Sequence, residues 1–588
     1  MSKKAEIRLF DFNVYNEMMK EEDEEVDSSE NSSSENSDGD KKKKSYTDNR
    51  KFIIQMFGMN KKGKTYSITV KDFQPFFYIK VPDAWGEMER SSLVIFLKEK
   101  NKYYKSSIIS LKYVKKNKLY GFDAGKLHNF IKITFANTTV YNKIKAYWYT
   151  KNQNFRKRRL LKKGFEYKIN GKKHSLYIYE AKLPPLLRYF HIQNISPSGW
   201  ISFKRGVVKL NKYQKKTTCD YEYVASYKSI VPRPDLVENI PLKICSFDIE
   251  ASSSHGDFPV AKKSYRKMIG EIITYWNKNK AKILKMDTEE KETLFKNLVF
   301  TAFGYNDEEG ISLVYPKEKI SMREINKHLT DLLDEKKMPL GRLLKKNPIH
   351  DRFGNIVEED MDDEDDEIKK RWHPPLPNMI CLSKNIIYLL NLKFNIGDKL
   401  DILDRALETN ELKVISSPFP ELEGDKCTFI GSTFMRWGEE IPYYNNIIAL
   451  NTCDDMKEIP NSEVIECENE RDVLVNWTKL IQKENPDIII GYNIFGFDWK
   501  FMIDRSKENN CYDDFLRLSR NKEEDCMVRN SVLKVASGTH ELTYPKINGR
   551  LQLDLYNHFR KEVNLTSYKL DNVASHFIGD YIYNTEIL

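Results

Sequence analysis

The stretch "PLKICSFDIEASSSHGDFP", Pro241 to Pro259, constrains the fold more than any other. Leu242 to Ile249 is an apolar run of the kind found in a central β-strand. Side chains alternate along a strand, so Asp248 and Glu250 project from one face, two residues apart. Two carboxylates on one face repel each other unless a cation lies between them.

A third carboxylate comes in "NPDIIIGYNIFGFDWKFM", Asn485 to Met502, which reads as a buried strand, a turn through Gly491, Tyr492 and Asn493, and a helix that opens on Asp498. The residues before it predict strands at Thr428–Met435, near Ile447–Leu450 and at Glu463–Cys467, with a turn at Trp437–Glu440. The helix "ERDVLVNWTKLIQKEN" follows, with Val473, Leu474, Trp477, Leu480 and Ile481 on one face, and then the strand Asp487–Ile490. This order is that of an RNase H-like α/β (α+β) domain. In that plan Asp498 reaches the edge carrying Asp248 and Glu250 and completes a site for two divalent cations, Mg²⁺ or Mn²⁺. Two such ions about 3.5 to 4 Å apart activate a water and stabilise the leaving oxygen of a phosphodiester. Separately, each signal is weak: a strand-end pair of acids is usually just exposed, and an Asp at a helix start usually just matches the helix dipole.

A chain of 588 residues, 40% of them hydrophobic and 12% aromatic, predicts about three or four packed domains at roughly 150 residues each. No run of 18 apolar residues occurs, and "MSKKAEIRLF" lacks the apolar core of a signal peptide, so a soluble intracellular protein with no membrane partner is expected. The eight cysteines show no CxxC spacing, which predicts reduced and mostly buried thiols. A net charge of +10 sums 96 basic and 86 acidic residues, so its distribution matters more than its total.

Residues 1–50 read as an N-terminal strand segment interrupted at 21–44 by "EEDEEVDSSENSSSENSDGDKKKK", too polar to offset its chain entropy and expected to be disordered. Residues 51–240 begin with alternating strands around a turn at Asn60–Gly63, the pattern of a β-rich domain. Residues 241–588 hold the α/β domain, with a large insertion at about 259–424 where the signals are irregular. The acid run within it, Glu358 to Pro377, lacks the turn glycine of a calcium loop and reads as a solvated loop.

Arg156, Lys157, Arg158, Arg159, Lys162 and Lys163 cluster just after Tyr147, Trp148, Tyr149 and Phe155. Cations neutralise phosphates and rings stack on bases, so this is a candidate DNA contact; a solvated basic face is the alternative.

"FDIEASSSHGDFP", "PDIIIGYNIFGFDWKFM" and "INGRLQLDLYNHFRKEVNLTSYKLDNVASHFIGD" resemble consecutive blocks of delta-type family B DNA polymerases. The "SSHGDFP" stretch and the Lys/Asn/Ile-rich composition are similar to the versions carried by large DNA viruses, whose setting would be the host nucleus or a cytoplasmic viral factory. "KDFQPFFYIKVP" and "YEAKLPPLLRYFHIQNISPSGWISF" resemble that family's N-terminal domain. The resemblance implies a β-rich N-terminal domain before an RNase H-like 3′–5′ proofreading exonuclease acting on primer-template and single-stranded 3′ ends. By it, Asp248 and Glu250 match the first exonuclease motif and Asp498 the second, as ligands of both metals. Asn493 and Phe497 match positions shaping the pocket for the frayed primer end, with core packing the alternative for Phe497. "SVLKVASGTHELTYPKI" would be the hairpin that parts primer from template, or a plain surface hairpin.

The family's third exonuclease motif, a Tyr with an Asp four residues later, is not found after Trp499, and neither palm motif is present. "SLVYP" at Ser312 is a decoy with an extra residue and no preceding Asp. The expected partner is therefore the palm, fingers and thumb segment, in cis or as a separate chain. A stand-alone exonuclease and an inactive DNA-binding module are the competing readings.

Overall fold

The computed structural model describes residues 5–19, 48–118, 124–150, 159–204, 206–253, 258–308, 310–333, 386–391, 400, 419–454, 456–535 and 538–579. The acidic segment expected at 21–44 and the acid run at 358–377 lie outside them.

Alternation of apolar and polar residues builds β1 (Glu6–Met18), β2 (Arg50–Met59) and β3 (Thr65–Val70), which run antiparallel in that order. The turn expected at Asn60–Gly63 joins the last two, with Gly63 at φ +75° donating its N–H to the Asn60 carbonyl. Next come β4 (Phe76–Lys80), α1 (Glu87–Lys100), β5 (Ile108–Asn117), β6 (Leu127–Phe135), α2 (Thr138–Lys145), β7 (Phe165–Ile169) and β8 (Lys172–Tyr179). Their strands form a second sheet, ordered β5-β6-β4-β8-β7, whose face of Phe77, Ile79, Ile131 and Ile133 packs with Leu93 and Leu97 of α1 and Val140 and Ile144 of α2. Helix α3 (Pro185–Gln193) is followed by β9 (Trp200–Phe203), β10 (Val208–Lys209), β11 (Tyr221–Ala225) and β12 (Ile230–Pro232). These four strands complete the first sheet, ordered β10-β11-β3-β2-β1-β9-β12.

Strand β13 (Lys243–Ser252) opens a third sheet. The chain divides into two compact units, Met1–Ile249 with Phe429–Leu588, and Glu250–Thr428. In the second unit the irregular signals resolve, among the described residues, into the helices α4 (Arg266–Lys278), α5 (Lys280–Ile283), α6 (Thr288–Ala302), α7 (Met322–Leu333) and α8 (Ile386–Asn391). They surround a core of their own that includes Ile269, Ile272, Trp276, Leu298, Val299, Ile325 and Leu329. The two ends of this unit meet where Thr428 Oγ1 donates to the Glu250 carbonyl, 3.1 Å away.

The third sheet continues with β14 (Lys426–Arg436), β15 (Tyr444–Leu450) and β16 (Ser462–Cys467), close to the expected strands. Helix α9 (Glu470–Glu484) starts where Asn469 Oδ1 accepts the Asp472 N–H at 2.9 Å, and it buries the five apolar residues expected of it. It ends at Asn485 in the left-handed conformation, φ +53°, which returns the chain into β17 (Ile488–Gly491). Helices α10 (Asp498–Glu508) and α11 (Tyr512–Phe515) follow, then the hairpin β18 (Met527–Val535) and β19 (Gly538–Lys546), as expected from the alternation. Last come β20 (Leu551–Asp554), α12 (Leu555–Glu562) and α13 (Leu570–Phe577). The sheet order is β16-β15-β14-β13-β17-β20, antiparallel between β14 and β15 and parallel from β13 through β17 to β20. Strands β13 to β16, helix α9 and the later strands β17 and β20, both on one side of β13, give the mixed α/β architecture expected.

Asp487 fixes the register of the last three strands. Its carboxylate accepts the Lys243 N–H at 2.8 Å, its N–H donates to the Lys243 carbonyl, and its carbonyl accepts the Leu551 N–H. The other carboxylate oxygen pairs with the Arg520 guanidinium at 2.6 Å, with both side chains wholly buried. Arg550 lies beside this pair and binds Asn485 Oδ1 and the Pro486 carbonyl; burial and the Arg520 charge pull its pKa down to about 9. The described cysteines are all free, and only Cys453 among them is partly exposed; Cys381 lies outside the described residues. Among the described residues no helix is long and apolar enough to cross a membrane.

Asp487→Ala would leave the Arg520 guanidinium buried without its carboxylate. The expected loss is about 3–5 kcal/mol, read as a lower denaturant midpoint. A change under about 1 kcal/mol would show that Asp487 does not hold the strands.

Candidate functional site

Along β13 burial alternates as the sequence predicts, with Cys245, Phe247 and Ile249 buried and Ser246, Asp248 and Glu250 exposed. Phe247 anchors the strand from below. Its ring lies 5.0 Å from that of Trp477 on α9 and 5.2 Å from that of Trp499 on α10, and the two indoles are 5.6 Å apart. Helix α10 is tied to α9 by a second device, the Arg505 fork on Glu470, where Nε donates at 2.8 Å and both side chains are buried. Trp499 and Arg505 thus leave α10 little freedom to slide, and the residue before Trp499 is Asp498.

The turn that delivers Asp498 needs glycine at 491, and at 496 a larger residue would have to displace the Asn493 side chain. A Cβ at Gly491 would sit 2.8 Å from the Phe247 carbonyl oxygen and 2.5 Å from the Ile494 side chain, and one at Gly496 would sit 2.3 Å from Asn493 Oδ1. Asn493 is left-handed at φ +61°, and its carbonyl accepts the N–H groups of Gly496 and Phe497. Asp498 thereby enters the first turn of α10 with its side chain buried, 2% exposed, and hydrogen-bonded to Asp248.

Its position at a helix start would by itself lower its pKa. The reverse holds: burial first, then the Asp248 charge and the hydrogen bond to Asp248, push the Asp498 carboxyl from 3.8 to about 8, against the opposing pull of the N–H groups of Asp498 and Ile249. Asp498 Oδ1 is buried with no hydrogen-bond partner. Two touching carboxylates, one with an unmatched buried oxygen, are a donor set suited to a hard divalent cation. Glu250 stands two residues beyond Asp248 on the same exposed face of β13. Among the described residues no three His, Cys, Asp or Glu side chains are gathered into a ready cation cage, so the contact brings together Asp248 and Asp498 but not Glu250.

Phe497 is half-buried with its ring 5.5 Å from Phe501, so packing accounts for part of it. The hairpin reaches the same turn: the Thr543 N–H donates to the Phe495 carbonyl at 2.8 Å, and Tyr544 stacks on Phe495 at 4.5 Å. Arg156, Lys157 and Arg158 lie outside the described residues; Arg159, Lys162 and Lys163 are exposed. Trp148 is not available to stack on a base, because it is buried in the core with its Nε1 donating to the Leu176 carbonyl. Sequence reasoning passed over Asp554, buried at the end of β20 and bonded to the site turn. Its one signal is the short alternation Leu551, Leu553 before a helix.

The family model described as "DNA polymerase family B, exonuclease domain" matches residues 176–320 and 388–573, more than half of the chain. The chain belongs to this family. The DNA polymerase of Phaeocystis pouchetii virus is 38% identical over 99% of this chain and 55% of that protein. The DNA polymerase of Pyramimonas orientalis virus is 30% identical over 91% of this chain and 40% of its own length. A more distant relative, the DNA polymerase delta catalytic subunit of Candida albicans, is 37% identical over 28% of the chain and 15% of that protein. The chain therefore spans about half the length, or less, of these relatives. This family B exonuclease domain carries the paired Asp248 and Asp498 within the segments the family model matches.

The raised Asp498 pKa makes stability depend on pH. The folded protein keeps a proton that the unfolded chain releases between about pH 4 and about pH 8, so rising pH in that window costs stability, at most about 1.4 kcal/mol per unit. Without divalent cations, Asp498→Asn should therefore be more stable than the natural chain by a margin that grows from pH 4 to 8. Parallel pH–stability curves for the two proteins would contradict the shared proton.

Proposed function

We propose that this chain is the N-terminal and 3′–5′ exonuclease part of a replicative family B DNA polymerase, with Asp248, Glu250 and Asp498 holding two divalent cations, Mg²⁺ or Mn²⁺. The observation that carries this reading is the contact between Asp248 and a buried Asp498 whose Oδ1 has no other partner. Bound cations supply activation of the attacking water and stabilisation of the leaving oxygen. The residues supply the rest. Asp498, held by Trp499 and Arg505, presents its carboxylate from a rigid helix, and Asp248 and Glu250 present theirs from a strand anchored by Phe247. Such preorganisation is what a site for an in-line displacement needs. Asn493 and Phe497, on the turn before α10, flank the position of the 3′ end.

Arg159, Lys162 and Lys163, with Arg156, Lys157 and Arg158, serve the phosphates of the single strand, and the β18–β19 hairpin borders its path. The palm, fingers and thumb come in cis or as a separate chain. The protein works inside the cell, in the nucleus or a cytoplasmic viral factory.

The test is degradation of a 5′-labelled single-stranded oligonucleotide with Mg²⁺ or Mn²⁺, by this chain and by a version joined to the polymerase remainder. Asp248→Ala and Asp498→Ala should each lower the rate at least about 10²-fold. Activity that survives Asp248→Ala would sink the reading. In oligonucleotide binding, Arg159→Gln, Lys162→Gln and Lys163→Gln should each flatten the log–log salt slope by about 0.7. An unchanged slope would return these residues to a solvated surface.

A further inference from the structure

Asp554 is a second buried carboxylate close to the turn that delivers Asp498. It is paired in register with Gly491, at the end of the strand next to β17, and is 5% exposed. By position alone it could be taken for a cation ligand. Its hydrogen bonds exclude that use. Oδ1 accepts the N–H of Asn493 at 3.1 Å and that of Asn557 at 3.3 Å; Oδ2 accepts the N–H of Phe495 at 3.0 Å and Asn557 Nδ2 at 2.7 Å. A carboxylate has about four lone-pair sites, and here donors occupy all four.

Capping α12 would explain only the two bonds from Asn557. The other two go to alternate peptides of the turn 491–497, across some sixty residues of sequence. They clamp Asn493, whose left-handed backbone is costly for a residue with a side chain. From Asn493 the path is continuous, because its carbonyl accepts the N–H groups of Gly496 and Phe497 and the Ile494 carbonyl accepts that of Trp499. Whatever fixes Asn493 and Phe495 therefore fixes the entry of α10 and the place of the Asp498 carboxylate.

We propose that Asp554 is a positioning residue for the cation site, acting through the backbone of Asn493 and Phe495 rather than by touching cation or DNA. This rests on the reading of Asp248 and Asp498 as cation ligands. Partners that orient ligands in this way typically change metal affinity by about 10- to 100-fold when removed.

The experiment is calorimetric Mn²⁺ titration of the full chain, with amide hydrogen exchange at Asn493 and Phe495 as a second readout. Asp554→Asn, which turns an N–H₂ toward one of the two amides, should weaken Mn²⁺ binding about 10- to 100-fold and speed exchange at both amides. Asn557→Ala, which removes a bond only on the helix side, should keep the natural affinity even where it lowers the melting temperature. Should Asp554→Asn not fold, Asp554→Glu keeps the charge and shifts it by one methylene, with the same weakening expected. Natural affinity in the Asp554 variants would overturn the proposal, as would equal weakening in Asn557→Ala. A natural chain whose Mn²⁺ binding is absent, or is untouched by Asp248→Ala, would overturn the cation reading itself and this inference with it.

Discussion

The register of three parallel strands depends on one buried carboxylate. Asp487 binds the main chain of Lys243 from both its side chain and its backbone and accepts the first N–H of β20, so β13, β17 and β20 start from a common point. Register matters here because a slip of one residue turns every side chain to the other face. After such a slip Asp248 would point into the core where Phe247 now lies. The position of Asp487 is stabilised in turn by Arg520, and burial of that pair is tolerable because each group is hydrogen-bonded to the other and to neighbouring main chain.

The site works against this ordered background. Burying Asp498 beside Asp248 is unfavourable, as the upward displacement of its pKa shows. What offsets the cost is not local: the aromatic contacts of Phe247, Trp477 and Trp499 and the Glu470–Arg505 pair hold α10 against the sheet whatever the charge on Asp498. Rings in such contact contribute about 0.5–1.5 kcal/mol per pair beyond their buried area. Stability is thus concentrated one residue to the side of each acid, leaving Asp248 and Asp498 in an unfavourable pairing.

Much of this was legible in the sequence because it rests on periodicity. The alternation around Asp248, the apolar face of α9 and the strand–turn–helix at 485–502 give the six-stranded sheet its central elements. Strand β20 escaped because four residues with two leucines do not rise above the noise of a loop, and Asp554 escaped with it. Its meaning lies in donors some sixty residues earlier, and no local pattern records a bond to a distant peptide. Glu470 reads as an ordinary first-turn acid of a helix, yet it is buried under Arg505. Trp148 stands among cations in the chain but faces the core in space, since a single short turn gives no period from which to tell its two sides. Of the helices of the second unit, α5 and α8, of 4 and 6 residues, are too short to show a period, whereas α4, α6 and α7, of 13, 15 and 12 residues, carry one that the irregular stretches around them obscure.

The bond from Thr428 to the Glu250 carbonyl bears on how the chain assembles. Pairing two strands separated by a long flexible segment carries an entropic penalty that grows with the logarithm of the separation. Here the described intervening residues pack onto a core of their own, and the segment's two ends are joined by the bond from Thr428 to Glu250. To the strands on either side, the excursion then behaves as a tight turn. A segment that would otherwise slow the closure of β13 against β14 becomes, once folded, the clasp that presents them to each other. Insertions of very different length can be carried at this point at nearly the same kinetic cost.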